Sequence, residues 1–63
     1  MKPQNQEKIV VAIDRLGIYG EGVGSWNGFT IFIDGALPGE KVDARVVDVS
    51  KNFARAKVLQ TFQ

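Results

Sequence analysis

The chain contains no cysteine and no histidine. Without cysteine there is no disulfide to staple a small core, no thiolate nucleophile and no thiolate zinc site. Without histidine the commonest acid–base group near neutral pH and the commonest metal ligand are both missing. Ser25 and Ser50 are the two serines, and neither has a histidine to take its proton. Long apolar runs are lacking as well: the longest, Ile9-Val10-Val11-Ala12-Ile13, falls far short of a membrane span. The opening Met1-Lys2-Pro3-Gln4-Asn5-Gln6 is polar and has no apolar stretch of the signal-peptide kind, so a cytoplasmic protein with no membrane partner is expected. A chain of 63 residues makes one domain at most and leaves little room for a closed reaction pocket. Independent catalysis is therefore not expected, and no catalytic residue, metal ligand or cofactor is assigned.

What is present is a period of two. Ile9, Val11 and Ile13 alternate with Lys8, Val10, Ala12 and Asp14, which reads as a first strand. Phe29, Ile31 and Ile33 alternate with Thr30, Phe32 and Asp34; Val42, Ala44 and Val46 alternate with Lys41, Asp43 and Arg45; Ala54, Ala56 and Val58 alternate with Arg55 and Lys57. A short further strand fits around Val23 to Trp26. No stretch carries a helical stripe, and no repeat or low-complexity segment is evident.

Turn residues punctuate these runs. Asn27-Gly28 stands between two strand-like segments and is the strongest short hairpin signal, because both turn positions need positive φ. Pro38-Gly39 marks the next turn and Ser50-Lys51-Asn52 a third. Five short strands need closure to avoid sticky edges, and a five-stranded OB-like barrel supplies it. Residues 1–6 are expected as a flexible lead and residues 7–62 as the barrel. Val47 and Val49 fall out of phase with Val42, Ala44 and Val46. Two readings stay open: a bulge that lets one strand serve both sides of a barrel, or two semi-exposed β-formers.

The glycines Gly20, Gly22 and Gly24 do not make a phosphate loop. A dinucleotide fingerprint needs a third glycine where Asn27 stands, and a helix where a hairpin follows. Charge says more. Residues 1–40 carry Lys2, Lys8 and Arg15 against Glu7, Asp14, Glu21, Asp34 and Glu40, whereas residues 41–63 carry Lys41, Arg45, Lys51, Arg55 and Lys57 against Asp43 and Asp48. Along the chain, basic charge thus gathers on the last two strands. Alternation puts Lys51, Phe53, Arg55 and Lys57 on one face and Asn52, Ala54, Ala56 and Val58 on the other. Cations around a ring are the chemistry of a single-strand platform, in which phosphates are neutralised while the ring stacks on a base. A solvated face on which Phe53 covers a neighbouring side chain explains the same pattern. Phe32 points away from its apolar neighbours, and Tyr19 lies in the glycine-rich segment; both are candidate contact residues. Trp26 reads as a plug at the barrel end. Asp34 and Glu40 read as turn-stabilising carboxylates rather than a magnesium pair.

Four motifs in order, Ile13-Asp14-Arg15-Leu16-Gly17, Gly20-Glu21-Gly22-Val23-Gly24, Phe32-Ile33-Asp34-Gly35-Ala36-Leu37-Pro38-Gly39-Glu40-Lys41-Val42 and Lys51-Asn52-Phe53-Ala54-Arg55-Ala56, strongly resemble the TRAM domain over residues 7 to 60. The Gly-Ala-Leu-Pro-Gly-Glu version looks most like the N-terminal TRAM domain of RNA uridine C5-methyltransferases. There it precedes an iron–sulfur segment and an S-adenosylmethionine-dependent domain, neither of which is present here. The chain departs from the family in having Asp34 where proline is usual. The resemblance implies an all-β OB-like barrel that presents tRNA or rRNA to an RNA-modifying enzyme, with a covalently linked methyltransferase domain as a partner. It favours RNA contacts at Lys51, Phe53, Arg55, Lys57, Phe32 and Tyr19, and no cofactor on this chain. A monomer is expected. The alternatives are a small-barrel protein-interaction module and a stand-alone RNA-binding or chaperone protein.

Overall fold

Each alternating segment forms a strand: β1 (Lys8–Leu16), β2 (Gly22–Trp26), β3 (Phe29–Asp34), β4 (Lys41–Val49) and β5 (Phe53–Thr61). The computed structural model describes residues 2–62, and there is no helix among them. The strands close into a barrel in the order β1-β2-β3-β5-β4, with β1 pairing β4. All pairs are antiparallel except β3 with β5. This is the all-β, five-stranded OB-like architecture that the strand count and turn spacing call for.

The register explains why so short a chain fills its interior. One inward row runs Ile13, Gly24, Ile31, Ala54, Val49, and a second runs Gly22, Ile33, Ala56, Val46. Each isoleucine of β3 thus sits between a glycine and an alanine, so large and small side chains alternate across the interior. Ile31, Ile33, Val11, Val42 and Val46 are the largest fully buried side chains. Glycine on the inner face of β2 lets β1 come close: a Cβ at Gly24 would collide with the Ala12 carbonyl oxygen and the Val11 side chain. Trp26 and Phe29, paired at the hairpin end, pack against the core from one side, as expected of a plug. Between them Asn27 and Gly28 have φ of 50° and 79°, the left-handed pair that this hairpin signal demands.

Three register shifts re-aim side chains, one of them between Asp43 and Ala44 of β4, where Leu59 of β5 is the extra residue. In β4 the register shifts between Val46 and Asp48, so Val47 is the extra residue of a bulge. Val49 then faces Ala54 and packs on the core, while Val47 is exposed. The bulge reading therefore holds for Val49, and the semi-exposed reading for Val47. In β1 the register shifts between Ile13 and Arg15, which turns Arg15 to the outer face although strict alternation would point it inward with Ile9, Val11 and Ile13.

The segment before β1, expected as a flexible lead, buries Pro3 and ties the Gln6 N–H to the Val46 carbonyl at 2.7 Å. Met1 lies outside the described residues. Between β3 and β4, the Glu40 carboxylate accepts the Leu37 N–H at 2.8 Å, the turn-stabilising role expected of it. The Gly39 N–H and the Glu40 carbonyl bond across to the Ile13 carbonyl and N–H, fastening this turn to β1.

Candidate functional site

The outer face carries a row that begins with the bulged Arg15 of β1 and runs through Val23 of β2, Phe32 of β3 and Arg55 of β5 to Asp48 of β4. Two cations thus bracket an apolar centre. Phe53 stands two residues back from Arg55 on the same face of β5, opposite Thr30, and its ring meets Phe32 edge to face with centroids 5.2 Å apart and planes at 81°. Such a pair contributes about 0.5–1.5 kcal/mol beyond area burial and holds both rings in place. Val23 is 2% exposed although it lies outside the barrel's core cluster. It is the floor of a groove of about 560 Å³ walled by Phe32, Phe53, Arg55 and Arg15 on the sheet, and by the segment from Leu16 to Glu21 on the other side.

Beyond Leu16, that segment is the β1–β2 connection, held as a compact turn. The Gly17 N–H donates to the Glu21 carbonyl at 2.7 Å, the Gly20 N–H to the Gly17 carbonyl at 3.1 Å, and the Tyr19 N–H to Glu21 Oε1 at 3.0 Å. The Glu21 carboxylate fills the space where a side chain on Gly17 would sit, and Glu21 is only 9% exposed. Glu21 is therefore a brace from inside the loop. With the backbone pinned, Ile18 and Tyr19 project at 89% and 85% exposure over the groove mouth.

This brace is testable. Glu21→Ala is expected to cost about 1 kcal/mol through the lost bond to the Tyr19 amide, which in so small a domain lowers Tm by about 4–8 °C. Amide exchange at Tyr19 and Gly20 should accelerate at the same time. Glu21→Gln keeps an acceptor oxygen and should restore both; equal exchange in all three proteins would remove the brace from the description.

Of the residues singled out in the sequence, Tyr19, Phe32, Phe53 and Arg55 meet in this one groove. Lys51 and Lys57 do not line it. Lys51 is exposed in the β4–β5 turn, and Lys57 stands two residues beyond Arg55 on the same face of β5, opposite Arg45. Sequence reasoning missed Arg15, Glu21 and Val23. Arg15 was hidden by a bulge that no residue type announces, and Val23 by its resemblance to an ordinary core valine. The expected gathering of basic charge on the last two strands also needs correcting in space. Arg15 and Lys8 come from the acidic half of the chain, yet Arg15 shares the groove with Arg55, and Lys8 stands opposite Arg45. Among the described residues no cluster of acidic side chains could hold a metal ion, and no helix is long and apolar enough to cross a membrane.

Comparison with known proteins bears on what such a barrel belongs to. The chain is 40% identical over 57 residues to the uncharacterized RNA methyltransferase YwfF of Lactococcus lactis, a match covering 90% of this chain and 11% of that protein. It is 54% identical over 48 residues to an uncharacterized RNA methyltransferase of Bacillus cereus, covering 76% of this chain and 10% of the relative. The chain thus spans about a tenth of the length of the curated relatives it matches. The solution structure of a conserved protein of Methanococcus maripaludis has the same fold, with a TM-score of 0.83 at 27% identity over 89% of this chain and 80% of that one. The TRAM domain family matches residues 4–59, a stretch that holds the bulged β1, the braced loop, the Pro-Gly turn and most of β5, and the chain belongs to that family.

Proposed function

We propose that this barrel binds RNA through the groove on its outer face and does no chemistry of its own. The observation that carries the reading is the convergence of Phe32, Phe53 and Tyr19 with two arginines around one apolar floor. Aromatic rings stack on unpaired bases of any identity, and arginines hold the phosphates on either side. Lys51 and Lys57 extend the cationic surface from the groove along β5 and its preceding turn. The relatives named as RNA methyltransferases support RNA as the ligand. In this reading the chain is a TRAM domain of the RNA uridine C5-methyltransferase kind, acting in the cytoplasm as a monomeric module. It presents tRNA or rRNA to a linked S-adenosylmethionine-dependent domain, with no cofactor or membrane of its own. Its contribution is tethering: a weak auxiliary contact raises the effective concentration of the substrate at an attached active site.

A protein-docking role is the second reading, and the exposure of Leu16 at the end of β1 and of Ile18 and Tyr19 on the loop favours it. Titration of a labelled single-stranded RNA with the 63-residue chain at several salt concentrations separates the two. The RNA reading expects log K to fall linearly with log salt, at about 0.7 units of slope per phosphate held. Absence of RNA binding, together with a salt-insensitive association with a linked enzyme domain, would transfer the groove to protein docking. Saturable binding of S-adenosylmethionine by the chain would overturn the claim that it is only a recognition module.

A further inference from the structure

Beside the groove, and outside it, the register builds a second surface. Lys8 of β1 stands opposite Arg45 of β4, and Arg45 stands opposite Lys57 of β5. All three are exposed, and the residues alternating with them, Ile9, Ala44, Val46 and Ala56, are buried. Three cations therefore stand side by side across three strands. Asp34 stands opposite Lys57 at one end of the row and Asp43 lies two residues from Arg45 on β4, so the row carries three cations in succession, with one carboxylate at its end and one beside its middle. Like charges directly opposite each other weaken a sheet. An arrangement with that cost gains from an anionic ligand that runs along it.

The row differs from the groove in having no ring. Rings suit unpaired bases that can be splayed out. Cations alone suit a paired strand, whose bases are turned inward and whose phosphates face the protein. Strands about 4.8 Å apart make the row about 10 Å long, enough to follow a short stretch of one phosphodiester backbone. The two surfaces meet on β5, where Arg55 of the groove and Lys57 of the row lie two residues apart on one face. We infer that the row Lys8, Arg45, Lys57 holds the phosphodiester backbone of a paired RNA segment, next to unpaired bases in the groove, so that the barrel reads the junction between duplex and single strand. This rests on the RNA reading of the groove and adds where a duplex lies.

Three labelled RNAs test it: a hairpin with an unpaired extension, the extension alone, and the hairpin with blunt ends. The 63-residue chain is expected to bind the extended hairpin more tightly than either part. The double variant Lys8→Gln/Arg45→Gln should lose that preference, and its salt slope on the extended hairpin should fall by about 1.4–1.8 units, while single-strand binding stays within about twofold of the parent. Both side chains are exposed and their mutual repulsion is removed, so Tm should not fall; Lys8→Arg/Arg45→Lys should keep the preference. Phe53→Ala should lose the single strand and keep the blunt hairpin. An unchanged slope and preference in the double variant, with Phe53→Ala still losing the single strand, would overturn the junction and leave the groove standing. Binding of none of the three RNAs would overturn both.

Discussion

Ala56→Lys is expected to leave the chain largely unfolded at room temperature. Ala56 is 4% exposed in the middle of β5, between Ile33 on one side and Val46 on the other, both fully buried. A lysine there has no partner charge and no short path to water, and an uncompensated buried charge costs several kcal/mol. A chain of 63 residues, at roughly 0.05–0.15 kcal/mol per residue, has only about 3–9 kcal/mol to lose. Loss of the far-UV β signature and of dispersed amide resonances would report the collapse. The neighbouring Arg55→Ala removes an exposed side chain and should change stability by no more than about 0.5 kcal/mol. A cooperative melt for Ala56→Lys at the parent's temperature would mean that β5 is turned the other way.

That contrast between adjacent residues was legible in the sequence, because the side-chain period of a strand is two and one buried face fixes its phase. The same logic identified all five strands and the Asn27-Gly28 hairpin, and it set Phe32 apart from Phe29, Ile31 and Ile33; that Phe32 meets Phe53 follows only once β3 pairs with β5. It failed where the period breaks. The β1 bulge turns Arg15 outward after three inward residues, and nothing in Ile13-Asp14-Arg15 distinguishes this from continued alternation. The β4 bulge was legible because Val47 and Val49 are apolar in the wrong phase; Asp14 and Arg15 leave no such trace. Charge was misjudged for a related reason. Counting along the chain divides acidic from basic residues at Lys41, but closure of the barrel sets β1 against β4 and returns Lys8 to Arg45. Pairing decides which charges meet, and composition does not. The loop brace was invisible for a third reason: Glu21 acts through a backbone amide and the bare Cα of Gly17, a geometry that exists only once the turn is formed.

Phe53→Ala is expected to weaken binding of single-stranded RNA by about 5- to 150-fold, the equivalent of the 1–3 kcal/mol that stacking contributes per base, with no change in salt slope. Arg15→Ala and Arg55→Ala should weaken it less and behave alike, each flattening the slope by about 0.7 units as one counterion is no longer released. Phe53 is half-buried against Phe32, so a drop in affinity after Phe53→Ala has to be separated from loosening of the barrel. Phe53→Leu keeps apolar cover over Phe32 without a flat ring; it should hold stability near the parent and still lose affinity, whereas Phe53→Trp should retain both. Arg15 is the decisive cation, since it comes from β1 and shares with Arg55 only the groove. Lys41→Ala is the control: Lys41 opens β4, at the end of that strand remote from the Val49–Ala54 pairing beside Phe53, and its loss should leave the slope nearly unchanged. Matching losses at Lys41 and Arg15 would reduce the site to diffuse positive charge. Full affinity in Phe53→Leu and in Arg15→Ala would take RNA out of the groove altogether.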